Sequence, residues 1–138
     1  MKTFAAMLIS CLSALMPVFA GAQEMQPGIY ATTATMQLPG GAPKSFQDKD
    51  CITAKDIAGG LTKIGIESDT ECKVQSLTKG GGKISYRLLC EEDGRKQVSD
   101  VTGTYTPDSF DFAIKASAGK DVPSRSMRVT GKRIGACK

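Results

Sequence analysis

Apolar and polar positions alternate most clearly in two runs on either side of a glycine cluster. Cys72, Val74, Ser76 and Thr78 fall on one parity, Lys79-Gly80-Gly81-Gly82-Lys83 interrupts, and Ile84, Tyr86, Leu88 and Cys90 resume. Period-two alternation flanking a Gly-rich stretch predicts an antiparallel hairpin. With the turn centred on Gly81, Thr78 faces Ile84, Ser76 faces Tyr86, Val74 faces Leu88 and Cys72 faces Cys90. The glycines are a turn rather than a phosphate cradle, which would need a following helix where this chain has a strand.

A second hairpin runs from Val98 to Thr106, turns at Pro107-Asp108 and returns from Ser109 to Ser117. Pairing Tyr105 with Phe110, Gly103 with Phe112 and Val101 with Ile114 collects the apolar residues on one face and leaves Thr104, Asp111 and Lys115 on the other. Gly103 makes room for the Phe112 ring. A last strand, Ser124 to Ile134, places Met127, Val129 and Gly131 on one face and Arg128, Thr130 and Lys132 on the other.

Upstream, Pro27-Gly28 marks a turn and Ile29 to Leu38 alternates as a strand. Pro39 to Pro43 breaks it, and Lys44 to Lys49 is long enough to return. Thr53 and Asp56 form an N-cap hydroxyl with an acid three residues on, so Ala54 to Ala58 is a short helix ended by Gly59-Gly60. Leu61 to Glu71 reads as loop.

Strong strand runs joined by short turns predict antiparallel meander pairing. The expected fold is all-β, an antiparallel meander of about six to eight strands curled into a barrel or half-barrel, with one short helix and two disulfides. Its interior is built from Tyr30, Val74, Tyr86, Leu88, Tyr105, Phe110, Phe112, Ile114, Met127 and Val129.

Composition adds a compartment. Lys2, the apolar stretch from Phe4 to Val18 and the small residues Ala20-Gly21-Ala22 make residues 1–22 a secretory signal peptide cut after Ala22, leaving 23–138 as a single β-domain. The mature chain has no transmembrane segment, and the expected location is periplasmic or secreted. Leu8-Ile9-Ser10-Cys11 resembles a lipoprotein box, but the apolar run continues past Cys11, so Cys11 is read as a small hydrophobe within the leader.

In an oxidising compartment the remaining cysteines pair. Opposed cysteines on antiparallel strands bring their Cβ atoms near the separation a disulfide needs, so Cys72 joins Cys90 and Cys51 is left with Cys137.

The chain carries a formal charge of +4 and no histidine or tryptophan. The basic residues are scattered among acids without interleaved aromatics, so no nucleic-acid partner is expected. Without histidine, the commonest general base and metal ligand is missing. Glu91-Glu92-Asp93 and the pair Asp48 and Asp50 lack the spacing of a calcium loop and read as charged turn or strand residues. The expectation is a non-enzyme with no cofactor and no metal.

The order of segments resembles the domain of unknown function family 3617, small exported proteins of Gram-negative bacteria. The resemblance rests on Pro27-Gly28-Ile29-Tyr30, Cys51-Ile52-Thr53-Ala54-Lys55-Asp56, Cys72-Lys73-Val74, Leu89-Cys90-Glu91, Gly103-Thr104-Tyr105 and Gly131 through Cys137. Tyr30 stands where members carry Trp, and Ala54 where many carry Pro. The resemblance implies an envelope location and this fold, and brings no activity with it.

Two functions follow. One is a binding module that holds a small apolar ligand or peptide on a concave face carrying Tyr86, Tyr105, Phe110 and Phe112. The other is a structural or protein-interaction component of the cell envelope, joined to an envelope protein through an edge or patch.

Overall fold

The structure is a computed structural model that describes residues 24–61, 64, 71–117, 119 and 121–138, apart from the side chain of Glu92. The expected leader, Cys11 and most of the expected loop between Leu61 and Glu71 lie outside the described residues. The described chain forms seven strands and one helix: β1 (Gly28–Gln37), β2 (Lys44–Ile52), α1 (Ala54–Ala58), β3 (Glu71–Gly80), β4 (Lys83–Glu92), β5 (Arg95–Tyr105), β6 (Ser109–Ser117) and β7 (Arg125–Gly135).

All strands join one antiparallel sheet in the order β2-β1-β7-β6-β5-β4-β3. Each hairpin-connected pair is adjacent in space, and β1 is inserted between β2 and β7. The sheet is open, with β2 and β3 as its edges, so the curled fold is a half-barrel.

The second hairpin has the expected register, with Tyr105, Gly103 and Val101 opposite Phe110, Phe112 and Ile114. The first is displaced by one residue near its turn. Cys72 lies opposite Cys90 and Val74 opposite Leu88, but Thr78 meets Ser85 and Lys79 meets Ile84, with a bulge between Gln75 and Thr78. The turn is the two-residue Gly81-Gly82 with φ of 60° and 73°, the left-handed pair that suits the twist of a tight hairpin. Ser76, at φ 53°, takes up the extra residue.

One face of the sheet is the core. Tyr30, Ile84, Tyr86, Leu88, Val101, Tyr105, Phe110, Phe112, Ile114 and Val129 are buried there, and Met127 packs against them partly exposed. The curl brings the rings of Tyr30 and Phe110 to 5.8 Å although β7 separates their strands. Val74 departs from expectation: it faces inward opposite Leu88, but it lies on an edge strand and is 40% exposed.

The connection between the two sheet edges plugs the hollow. Thr53 caps α1 through a reciprocal pair of bonds, its Oγ1 accepting from the Asp56 amide (3.2 Å) and its own amide donating to Asp56 Oδ2 (2.9 Å). This holds Ile57 and Leu61 in the core beside Met25 and Ile52. Lys79 on β3 fastens the plug, donating to Ile57 O (3.3 Å) and Glu24 Oε2 (2.7 Å) while its ammonium sits 5.7 Å from the centre of the Tyr105 ring. Both expected disulfides are present: Cys72–Cys90 within the first hairpin, and Cys51–Cys137 joining β2 to the segment after β7.

Candidate functional site

The four rings expected to form a binding face converge, but inward. Tyr86, Tyr105 and Phe110 are 4%, 6% and 3% exposed and Phe112 is fully covered. Phe110 and Phe112 stack obliquely at 5.1 Å, with Gly131 and Gly103 beneath them on the neighbouring strands. The Tyr86 hydroxyl donates to Leu61 O at 3.4 Å, on the plug itself. Burial pushes that phenol up to about 12, because the anion would lose its water. Tyr30 is raised for the same reason, partly offset by Arg133, and its hydroxyl donates to Gln26 O at 2.7 Å. Met25, Ile57 and Leu61 are buried in the same cluster as these rings, so the hollow that would receive a ligand is filled by the protein's own side chains.

A shallow dip of about 230 Å³ lies on the opposite face, among Thr35, Gln37, Ala113, Lys115, Ser126 and Arg128. On its rim Arg128 forms a two-pronged pair with Asp111, and further along the same face Arg87 holds Asp100 in the same way at 2.7 and 3.1 Å. The guanidinium bonds hold both carboxyls below the usual aspartate range. Both pairs are exposed, so each adds little to stability.

The carboxylates considered as acid or calcium groups are spread over strands and a turn. Asp93, at φ 50°, makes a tight turn with Gly94, at φ 72°, between β4 and β5. Glu91 is in β4, and Asp48 and Asp50 are in β2, where Thr32 Oγ1 donates to Asp50 Oδ2 at 3.0 Å. Among the described residues no three or more His, Cys, Asp or Glu side chains gather to hold a metal. Nor is any described helix long and apolar enough to cross a membrane.

The return strand expected from Lys44 to Lys49 extends to Ile52 as β2, and its place at the open edge of the sheet is what the sequence alone did not indicate. Every residue from Lys44 to Cys51 is exposed, and Phe46 is 59% exposed. Its ladder with β1 runs without a bulge from Gly28 opposite Ile52 to Met36 opposite Lys44. At the other edge, the bulge in β3 breaks the line of backbone groups, a common protection against unwanted pairing. A signal was present in Phe46, one aromatic in a run from Lys44 to Asp50 otherwise polar on both faces.

A family model described as "Protein of unknown function (DUF3617)" matches residues 25–137. The chain belongs to this family. The match begins at buried Met25 and ends at Cys137, so the DUF3617 unit is the whole described half-barrel with both disulfides. No curated protein and no solved structure matches the chain.

Proposed function

We propose that this DUF3617 protein is an exported, non-catalytic domain of the bacterial envelope, periplasmic once its leader is removed after Ala22, and that it works by binding another protein along β2. The observation that carries this reading is the contrast between a filled aromatic interior and an edge strand exposed on both faces over its eight residues from Lys44 to Cys51. An extended edge recruits a partner strand through backbone hydrogen bonds, with alternate side chains supplying specificity. The non-catalytic part is supported by a chain without histidine in which Cys51, Cys72, Cys90 and Cys137 are all held in disulfides, leaving no thiol or imidazole in the half-barrel to act as nucleophile or base.

The test is a photo-crosslinking side chain placed at Gln47 on β2, or at Lys115 on β6 as a control, in living cells. Protein adducts from Gln47 and none from Lys115 are expected. Adducts from neither, with a small apolar molecule retained by the purified protein in native mass spectrometry, would turn the assignment to ligand binding.

A further inference from the structure

We propose that the partner on β2 is a second copy of this chain, its own β2 running antiparallel across a two-fold axis that passes between the two Phe46 side chains. The inference rests on the reading of β2 as the working edge and adds what occupies it.

The backbone sets which residues can bond. Thr32 Oγ1 reaches Asp48 O at 3.3 Å, so that carbonyl points toward β1. The next amide, Lys49 N–H, is taken by Asp48 Oδ1 at 2.7 Å, as befits a donor turned to the open edge. Groups alternate in antiparallel ladders, so Ser45 and Gln47 also present N–H and C=O outward, while Lys44, Phe46 and Asp48 bond inward to β1. Outward residues must pair with outward residues. Only registers shifted by two are therefore open to a symmetric pair.

Side chains choose among them. With Phe46 opposite its own copy, Lys44 lies opposite Asp48 of the second chain and Asp48 opposite its Lys44, all on the face that continues the core side of the sheet. Phe46 and the flanking charges then occupy non-hydrogen-bonded positions, where side chains across a ladder come closest, and Ser45 and Gln47 exchange the backbone bonds between them. A shift of two residues sets Phe46 against Asp48, and a further shift sets Asp48 against its own copy, a like-charge pair. The favoured register gives complementary charge on both sides of a buried aromatic pair, in a self-complementary two-fold interface.

Sedimentation equilibrium of the full protein, as the cell processes it, should show a monomer–dimer equilibrium. Lys44→Asp or Asp48→Lys alone makes two like-charge pairs per dimer, and either should weaken dimerisation about tenfold or more. Combining Lys44→Asp with Asp48→Lys should restore it to within about threefold of the original. The restoration is specific to this register, because an interface shifted by two pairs Lys44 with Asp50. A protein monomeric at every concentration, a dimer indifferent to both single changes, or a double variant as weak as the singles would each overturn the proposal. Monomeric protein whose Gln47 crosslinks a different envelope protein would overturn this inference and leave the proposed function standing.

Discussion

Gly131 lies directly under the ring of Phe110, its cross-strand neighbour, and a Cβ built on Gly131 would run into the ring edge at Cε1 and Cζ. Gly103 stands in the same relation to Phe112. Two small-against-large pairs on adjacent ladders thus set how far the rings sink into the half-barrel. Gly131→Ala is expected to lose about 1–3 kcal/mol by overpacking. Urea unfolding measures it, and Phe110→Leu in the same chain should recover part of the loss. Full additivity of the two changes would show that the contact is not the cause.

Phe112→Ala should lose about 3–5 kcal/mol, the loss of a large side chain from a filled core. Urea unfolding with native mass spectrometry separates the two roles considered for the ring. A loss under about 1 kcal/mol, with a bound small molecule released by the substitution, would mean that the ring serves a ligand.

The disulfides close loops of different size, with sequence separations of 18 for Cys72–Cys90 and 86 for Cys51–Cys137. In the chain-entropy account they contribute roughly 3 and roughly 4.5 kcal/mol. Replacing Cys51 and Cys137 together by Ser should therefore lower the urea midpoint more than replacing Cys72 and Cys90. Non-reducing peptide mapping checks the pairing, and a peptide joining Cys51 to Cys72 or Cys90 would contradict it.

Alkaline pH should unfold the protein through Tyr86. Its phenol is raised from the ordinary 10.0 to about 12 by burial, so the fold prefers the neutral form. That preference is fully present below pH 10 and is lost as pH rises through 12, up to about 3 kcal/mol in all. Tyr86→Phe should flatten the fall of the urea midpoint between pH 10 and 12, with Tyr30 keeping part of the slope. An unchanged slope would show that Tyr86 is not the group responsible.

The pairing of Val101, Gly103 and Tyr105 with Ile114, Phe112 and Phe110 was legible because a Pro-Asp turn and strict alternation leave one register that gathers the apolar residues. The hairpin before it was legible at Cys72 and Cys90 but not at its turn. Three consecutive glycines offered more than one centre, and a bulge at Ser76 absorbed the difference. Val74 shows why parity is not burial: on the edge strand β3 it faces inward and is 40% exposed, whereas Ile52 on the other edge is buried in the core beside Met25, Ile57 and Leu61.

Ile57 escaped notice because a helix of five residues is too short to show a period, Met25 and Leu61 because they lie outside any regular element, and Ile52 because the charges at Asp48, Lys49 and Asp50 made the strand look finished. The aromatic face was readable, but whether it is open or filled depends on that plug, which lies far from it in the chain.

The first strand finds its second neighbour only in the last. Arg133 Nε reaches Pro27 O across 106 residues of chain, beside the ladder of β1 with β7. A chain emerging from its N-terminus can form the β1–β2 hairpin early, but that hairpin has no sheet to join until the final dozen or so residues arrive, since contacts of such long range are the slow ones to form. The β1–β2 hairpin therefore docks last, onto a sheet whose β3 to β6 strands pair only with sequence neighbours. The bond from Cys51 to Cys137 works as a latch: it fastens β2, the outermost strand, to the segment after β7 and keeps that strand from peeling away.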